Sequence, residues 1–416
     1  MDKSLLIRDD DLKIEFTRID LFDILPEDIE RRGRIITSLN KLETQQEVLL
    51  HELDEYRSEI ERLSNNTDNI DYIIAVSSGI IAAIIDSLWV GEFSYERGKA
   101  WSNKLVNDTV MKVAKSQGYK GDRLNGAIKY LEDKFKIPSD NIWKGMGVGI
   151  TPKSHHLDDL AHHPTIVGLF FSILTQFTKE AYFSNSEGEF IPITITDDGE
   201  LIGHDIVHKF YAGTINWFFH LISDMSGSNK TSGAGMGIPG PIVSMLKEIS
   251  GLPLMKNTNL SELLHKIYTK DRFDLRGELA VLHELERQAV PVIINEVIVR
   301  GSYFIRRLYN EIKQHNSIRA LNWKKILPYN NRTINRMLTI ATGTFTAVDL
   351  LDAGVRSAIK TGGAINPAFW ESFILRVNFI GIGRFAIACY SDAKMGLKLK
   401  STKTSFLEKQ MEYLYN

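Results

Sequence analysis

Residues 154–178 read SHHLDDLAHHPTIVGLFFSILTQFT and join two kinds of chemistry in one stretch. The first half packs four histidines and two aspartates into nine positions. The second half runs from Pro164 to Thr178 without a charge and is dominated by Ile, Val, Leu and Phe. Pro164 is placed to open a helix at its first turn, where the missing N–H has no partner to lose. A titratable cluster is thus coupled to an apolar rod. Two arrangements satisfy that coupling: a metal or proton site at the lip of an apolar bundle, or a polar vestibule above membrane-embedded helices.

Apolar rods recur on both sides. Tyr72–Ile85, Phe210–Ser223, Thr231–Leu246 and Leu338–Val348 carry no Asp, Glu, Lys or Arg. None reaches the roughly 18–20 residues of a simple transmembrane helix. By length they suit buried core helices. Bounded by ionisable residues, they also suit channel helices, whose charges face a wet interior. In DYIIAVSSGIIAAIIDSLWVG, residues 71–91, Ala75, Gly79, Ala83 and Ser87 recur every fourth position and make one smooth face. Bulky isoleucines cover the rest. Small residues at that spacing let two helix backbones approach closely, the usual basis of helix packing in lipid. Asp86 interrupts this apolar surface and needs a partner or a wet cavity.

Residues 28–64 hold the clearest periodicity. Ile35, Leu39, Leu42, Leu49, Leu53, Tyr56, Ile60 and Leu63 fall at steps of four and three, with Gln46 breaking one seam position. Charged flanks over four heptads predict a coiled-coil helix, and self-association through the seam is the expectation. The alternative is an amphipathic helix packed on its own chain. Ahead of it, Lys13, Glu15 and Arg18 alternate with apolar neighbours as in a short strand. Pro26 opens the helix. The β-branched run FIPITITDDGELIGHDIV, 190–207, predicts a hairpin turning at Asp197–Asp198–Gly199. The expected fold is therefore mainly α: a helical bundle with an N-terminal coiled-coil helix and a small β-hairpin. Residues 1–70 form one segment, and 71–416 an α-helical core with interrupted apolar helices.

The 416 residues balance to a formal charge of −2, so no global field selects a polyanionic partner. The average hides two extremes. Residues 1–64 carry 17 acids against 10 Lys and Arg, while 300–336 carry nine Lys and Arg against Glu311 alone. Arg300, Arg306, Arg307, Lys324, Lys325, Arg332 and Arg336, with Arg319, can form a basic collar for nucleic acid or anionic lipid. Solvated helix faces are the simpler account. Glu296 and Arg300 sit one turn apart inside an otherwise apolar helix, as an i,i+4 ion pair would. The last apolar block, RVNFIGIGRFAIACYSDAKMGLKLKSTK at 376–403, is interrupted by Arg384 and followed by lysines. That order suits a cytoplasmic membrane border or a soluble helix C-terminus. The single cysteine, Cys389, excludes an internal disulfide and fits a reducing compartment. The acidic N-terminus carries no signal-peptide pattern.

For chemistry, the histidines are the strongest pattern. On one helix, His155, Asp158, Asp159 and His162 would share a face, and His204 and His208 form a second pair at i,i+4. With His156 and His163, these residues could hold zinc or a two-metal centre. The aromatic helix FYAGTINWFFHLISDM carries His220 and Asp224. Paired histidine boxes beside apolar helices resemble those of membrane di-iron oxygenases, but the H-x-x-H-H order those enzymes use is not present. The Gly-rich stretch 226–241 lacks the P-loop order; its N–H groups ahead of Pro241 could still hold an anion. No catalytic residue is assigned.

The strings HHLDDLAHHPTIVG and RVNFIGIGRFAIACYSD resemble stretches of uncharacterised bacterial proteins that travel with mobile elements. The layout, with its interrupted apolar segments, oligomerising seam and basic region, resembles the membrane effector of the Hailong anti-phage system. That resemblance implies an oligomeric ion channel in the bacterial inner membrane, with cytoplasmic portions, held shut by single-stranded oligonucleotides. The expectation is a homo-oligomeric channel with membrane helices at 71–91, 338–353 and 373–390. Asp86, Glu296 and Arg384 would line it, and the basic segment would take an anionic ligand. No cofactor is expected on that reading. The alternatives are a divalent-metal enzyme using His155, Asp158, Asp159, His162, His204 and His208, and a soluble helical scaffold.

Overall fold

A computed structural model describes residues 26–140, 142, 144, 148–195, 203–227, 236–255, 258–315 and 321–415. The expected strand around Lys13–Arg18, the turn at 197–199, Arg319 and residues 228–235 of the Gly-rich loop lie outside them. Among the described residues the fold is mainly α with one small sheet. The helices are α1 (Pro26–Leu63), α2 (Asn69–Ile85), α3 (Tyr95–Ser116), α4 (Leu124–Lys134), α5 (His155–Asp158), α6 (Ile166–Thr178) and α7 (Ile206–Asp224). They continue with α8 (Pro241–Ser250), α9 (Leu260–Thr269), α10 (Leu275–His315), α11 (Trp323–Ile326), α12 (Arg332–Lys360), α13 (Pro367–Arg376) and α14 (Phe379–Tyr415).

The hairpin pairs β1 (Glu180–Ser184) with β2 (Phe190–Thr194), antiparallel, with Glu180 opposite Thr194 and Ser184 opposite Phe190. Strand β2 falls where the β-branched run predicts it, but its partner precedes it in the chain. The turn is Asn185–Glu189. There the Asn185 side-chain oxygen accepts from the Glu187 and Glu189 amides at 3.0 and 2.9 Å, and Gly188 takes φ +80°. Asparagine and glycine at these places are what such a turn requires.

The chain divides into two compact units. One combines Met1–Asp71, Tyr303–Thr339 and Ala388–Asn416. Within it the seam of α1 splits in two. Leu53 and Leu63 are buried, whereas Ile35, Leu39 and Leu42 are more than half exposed. Ion pairs cluster along the buried half: Lys409 to Glu52 at 3.0 Å, Lys398 to Glu59 at 2.7 Å and Lys325 to Glu61 at 2.6 Å.

The other unit combines Tyr72–Ser302 with Ile340–Ile387. One core packs Val106, Val110 and Ala114 of α3 against Ala127, Ile128 and Leu131 of α4 and Ile222 of α7. A second joins Ala82 and Ala83 of α2 to Val292 of α10 and Phe345 of α12. The small-residue face of α2 does what its spacing predicts. Gly79 lies so close to α12 that a Cβ placed on it would meet the Ala341 carbonyl oxygen and sit 2.8 Å from Thr344 Cβ. The isoleucines point the other way: Ile73 is 63% exposed and Ile84 50%.

Among the described residues two helices are long and apolar enough to cross a membrane, Asn69–Val90 and Arg332–Lys360. The count rises to three if Pro367–Arg376 and Phe379–Leu414, bent by 67° at a short break, form one broken span. These helices overlap the stretches expected at 71–91, 338–353 and 373–390. The first ends in a π-turn, Asp86–Val90, closed by the Gly91 amide on the Asp86 carbonyl at 3.0 Å.

Candidate functional site

Two polar assemblies lie in the second unit, and the more compact is built from the pivotal stretch. Residues 155–163 do not form the single helix that would align His155, Asp158, Asp159 and His162. Helix α5 ends at Asp158, Asp159 is extended, and Leu160–His162 make one 3-10 turn that the Asp159 side chain caps through the Ala161 amide. Pro164 stands two residues before α6, whose N-cap is Thr165, accepting from the Gly168 amide at 3.0 Å. The two short turns send the side chains in different directions, so the helical-face set is dispersed.

His156 and His162 converge instead on α7, whose His220 and Asp224 are one turn apart. Asp224 Oδ2 lies 3.0 Å from His220 Nε2, 3.3 Å from His156 Nε2 and 3.6 Å from His162 Nε2. The His162 and His220 Nε2 atoms are 3.2 Å apart. All four side chains are at most 2% exposed. The far nitrogens are also held: His162 Nδ1 by Asp159 Oδ2 at 2.9 Å, and His220 Nδ1 by the Phe135 carbonyl at 3.0 Å. His156, His162 and Asp224 offer ligand atoms all within 4.8 Å of one another.

The electrostatics follow from this packing. Burial alone would raise the Asp224 carboxyl, yet the imidazoles of His220 and His156 facing it hold it well below the ordinary range. Burial likewise opposes ionisation of Asp159, and His162 overcomes it. The His155 ring lies tilted against that of His156, with centroids 3.9 Å apart. Its Nδ1 faces the Pro152 carbonyl at 3.0 Å. Burial, then the neighbouring His156 and His162, push its imidazole down to about 2.

The other expected metal residues go elsewhere. Asp158 is fully buried, 3.6 Å from Lys247 Nζ and 3.8 Å from His265 Nε2. Burial lowers the Lys247 ammonium, and Asp158 opposes that shift. His163 bridges Glu248 and the Leu157 carbonyl, each at 2.9 Å. His204 and His208 are exposed; Asp205 caps α7 by accepting from the His208 amide, and its other oxygen faces His208 Nδ1 at 2.8 Å. Of the six residues expected as ligands, His162 alone belongs to the convergent group among the described residues. Sequence spacing named His156 but did not group it with His220 and Asp224. The available signal was the H-x-x-x-D step on the aromatic helix.

The second assembly lies among the candidate spans. Asp86 is 4% exposed and takes a hydrogen bond from the Asn378 side-chain amide. Asn378 stands at the break between α13 and α14, and the freed backbone there is fully engaged. Its amide donates to Asp349 Oδ2 at 2.9 Å, the Phe379 amide to Gln288 Oε1 at 3.1 Å, and Gln288 Nε2 to the Val377 carbonyl at 3.2 Å. Asn378 Oδ1 then caps α14 through the Gly381 amide at 2.8 Å. Glu296 joins Arg300 at 2.6 Å and Arg384 at 3.1 Å, all three part-buried. The i,i+4 pair read from the sequence is present, with a third member from α14.

The basic segment is heavily paired. Arg306 binds Asp68 at 2.8 Å and also Asp71; Arg307 binds Asp71 at 2.7 Å. Arg332 and Arg336 share Asp392 at 3.1 and 2.9 Å. Lys324 is exposed. In the first unit a cavity of about 630 Å³ is lined by Arg62, Arg307, Lys324 and Lys325 together with Glu59, Glu61 and Glu311. The anion expected near Pro241 is the chain's own: the Ile242 and Val243 amides at the start of α8 donate to Glu278 at 2.9 and 3.1 Å.

No protein-family model matches this chain, and no match was found among curated proteins or solved structures.

Proposed function

We propose that the protein is an oligomeric, membrane-inserted helical channel of the bacterial inner membrane, a pore-forming effector of anti-phage defence opened or shut by an anionic ligand. The observation that carries this reading is the inverted polarity of the candidate spans. Ile73, Ile80, Ile81, Ile84, Leu88, Leu351, Val355 and Ile359 are exposed, while Ser78, Asp86, Asp349 and Asn378 are buried. A helix bundle dissolved in water has the opposite arrangement. Lipid accepts the aliphatic faces, and ionisable side chains inside such a bundle mark an ion pathway. A broken helix at membrane depth is tolerated where protein meets its freed backbone groups, as Gln288 and Asp349 do here.

In this reading Asp86, Glu296 and Arg384 border the path of the ion. The exposed half of the α1 seam brings copies together, with Gln46 setting register. The ligand is an anion of the single-stranded oligonucleotide class. It enters the cavity of the first unit, where phosphates displace Glu61 from Lys325 and engage Lys324 and Arg307. Arg300, Arg306, Arg332 and Arg336 remain held by carboxylates. Such control needs unequal ligand affinity in the closed and open states. The defence role rests on the resemblance of layout and motif strings.

The test is reconstitution into vesicles carrying an entrapped ion-sensitive dye. Flux that changes with added single-stranded oligonucleotide, and that loses this response in Lys324→Glu/Lys325→Glu, supports the reading. Recovery of the whole protein as a soluble monomer after detergent-free fractionation ends it.

A further inference from the structure

We propose that His156, His162 and His220, through Nε2, and Asp224, through Oδ2, bind one divalent transition-metal ion, with Zn²⁺ the best match to the donor set. This site is independent of the channel reading and of the basic cavity. Spacing is the first argument. A tetrahedral ion with bonds of about 2.0–2.1 Å holds its ligand atoms about 3.3 Å apart. Four of the six separations among these atoms are 3.0, 3.2, 3.3 and 3.6 Å and straddle that value; His156, His162 and Asp224 offer ligand atoms within 4.8 Å of one another.

Proton placement is the second argument. The Phe135 carbonyl can only accept, so His220 Nδ1 carries the hydrogen. His162 Nδ1 faces the Asp159 carboxylate in the same way. Both Nε2 lone pairs are thereby directed at each other and at Asp224. Three acceptors in mutual contact repel unless a cation lies between them or extra protons are bound. The competing arrangement is an imidazolium one, with His220 at 3.0 Å and His156 at 3.3 Å donating to Asp224 Oδ2, and the metal count separates the two.

The outer bonds are the third argument. Histidines that bind metal hand their other N–H to a carboxylate or a backbone carbonyl, which fixes the tautomer and the ring. Asp159 and Phe135 O occupy those two roles. Three imidazoles and one carboxylate disfavour Mg²⁺ and Ca²⁺, which take oxygen shells, and suit zinc or a neighbouring first-row ion. Four protein donors in a closed site leave no position for substrate, as in structural zinc sites. The ion would clamp the two short turns at 155–162 onto α7.

The experiment is elemental analysis of the full chain purified without chelator, followed by exchange with Co²⁺. The expected result is about one metal per chain and the strong visible bands of a tetrahedral cobalt centre. His220→Ala and Asp224→Ala should lose the ion. His204→Ala and His208→Ala, both on the surface, should keep it. Asp159→Asn should keep the stoichiometry at saturation with affinity weakened about 10–100-fold, the usual effect of removing an outer hydrogen bond. Should the ligand variants fail to fold, the wild-type metal count and the cobalt spectrum still decide. Wild-type protein with no bound metal and no uptake of Zn²⁺ or Co²⁺ overturns the proposal, leaving a proton-sharing imidazole–carboxylate cluster.

Discussion

Gly79 separates a helix pressed against another backbone from a helix that has merely a small residue on it. In a free helix, Gly→Ala gains about 1 kcal/mol from helix propensity. At Gly79 the added methyl would fall on the Ala341 carbonyl oxygen, 2.8 Å from Thr344 Cβ and 2.9 Å from Phe345 N. Two of those obstacles are backbone atoms, which cannot swing aside. To restore the 3.4 Å of an ordinary contact at every one of these atoms, α2 and α12 must part by roughly 1 Å where they meet. Overpacking of this kind costs about 1–3 kcal/mol. The net effect of Gly79→Ala is then a loss of up to about 2 kcal/mol, and Gly79→Val, with two more methyls, should lose about 2 kcal/mol or more. Gly354 in α12 and Gly383 in α14 have open space where a Cβ would go. Alanine there should stabilise by about 0.5–1 kcal/mol. Denaturant unfolding of the protein in detergent, followed by tryptophan fluorescence, measures all four. If Gly79→Ala stabilises as much as Gly354→Ala, the close approach of α2 and α12 is wrong, and with it the packing that buries Asp86.

Other perturbations reach the remaining features. Leu39→Asp with Leu42→Asp should reduce the oligomer to a smaller species by light scattering, and an unchanged mass would exclude the exposed seam as the contact. Asn378→Leu deletes the cap on α14 and the donor to Asp86, a loss of about 2–4 kcal/mol in the same unfolding assay; a change below about 1 kcal/mol would mean the break is held by other residues. The hydrogen bond from Arg306 holds Asp68 at about 2 in the folded chain, below its ordinary value near 3.9. The folded state then binds fewer protons than the unfolded one, so the stabilisation is present above about pH 5 and fades as pH falls towards 2. The stability gap between wild type and Arg306→Gln should narrow over that window, and a gap indifferent to pH would contradict the pairing.

Local periodicity made some of this molecule legible. The step of four through Ala75, Gly79 and Ala83 specified which face of α2 is covered, because the face depends on helix geometry alone. The Glu296–Arg300 pair was readable for the same reason. The β-branched run located β2 but not its partner, since alternation marks a strand without saying which side it pairs on. The histidine site was half visible. His162 and the density of the cluster were evident, but the ligand geometry depends on a break at Asp159 that changes every facing residue. His220 and Asp224 arrive from a helix 58 and more positions later. The basic segment was legible as charge but not as pairing. Its carboxylate partners Asp68, Asp71 and Asp392 are far away in the chain, so a window over 300–336 counts charge that the fold neutralises.

The π-turn at Asp86–Val90 has a consequence for length variation. A turn closed from residue i to i+5 holds one residue more than an α-turn. Deleting a single residue from Ser87–Trp89 therefore lets the backbone close again as ordinary helix. It also draws the following chain back by about 1.5 Å and rotates it by about 100°. The Phe93 amide, which bonds the Leu375 carbonyl at 2.6 Å, would lose its partner first. A shortened chain that keeps its helicity but releases this strap would separate the extra residue's role in aiming the loop from any role in the helix itself.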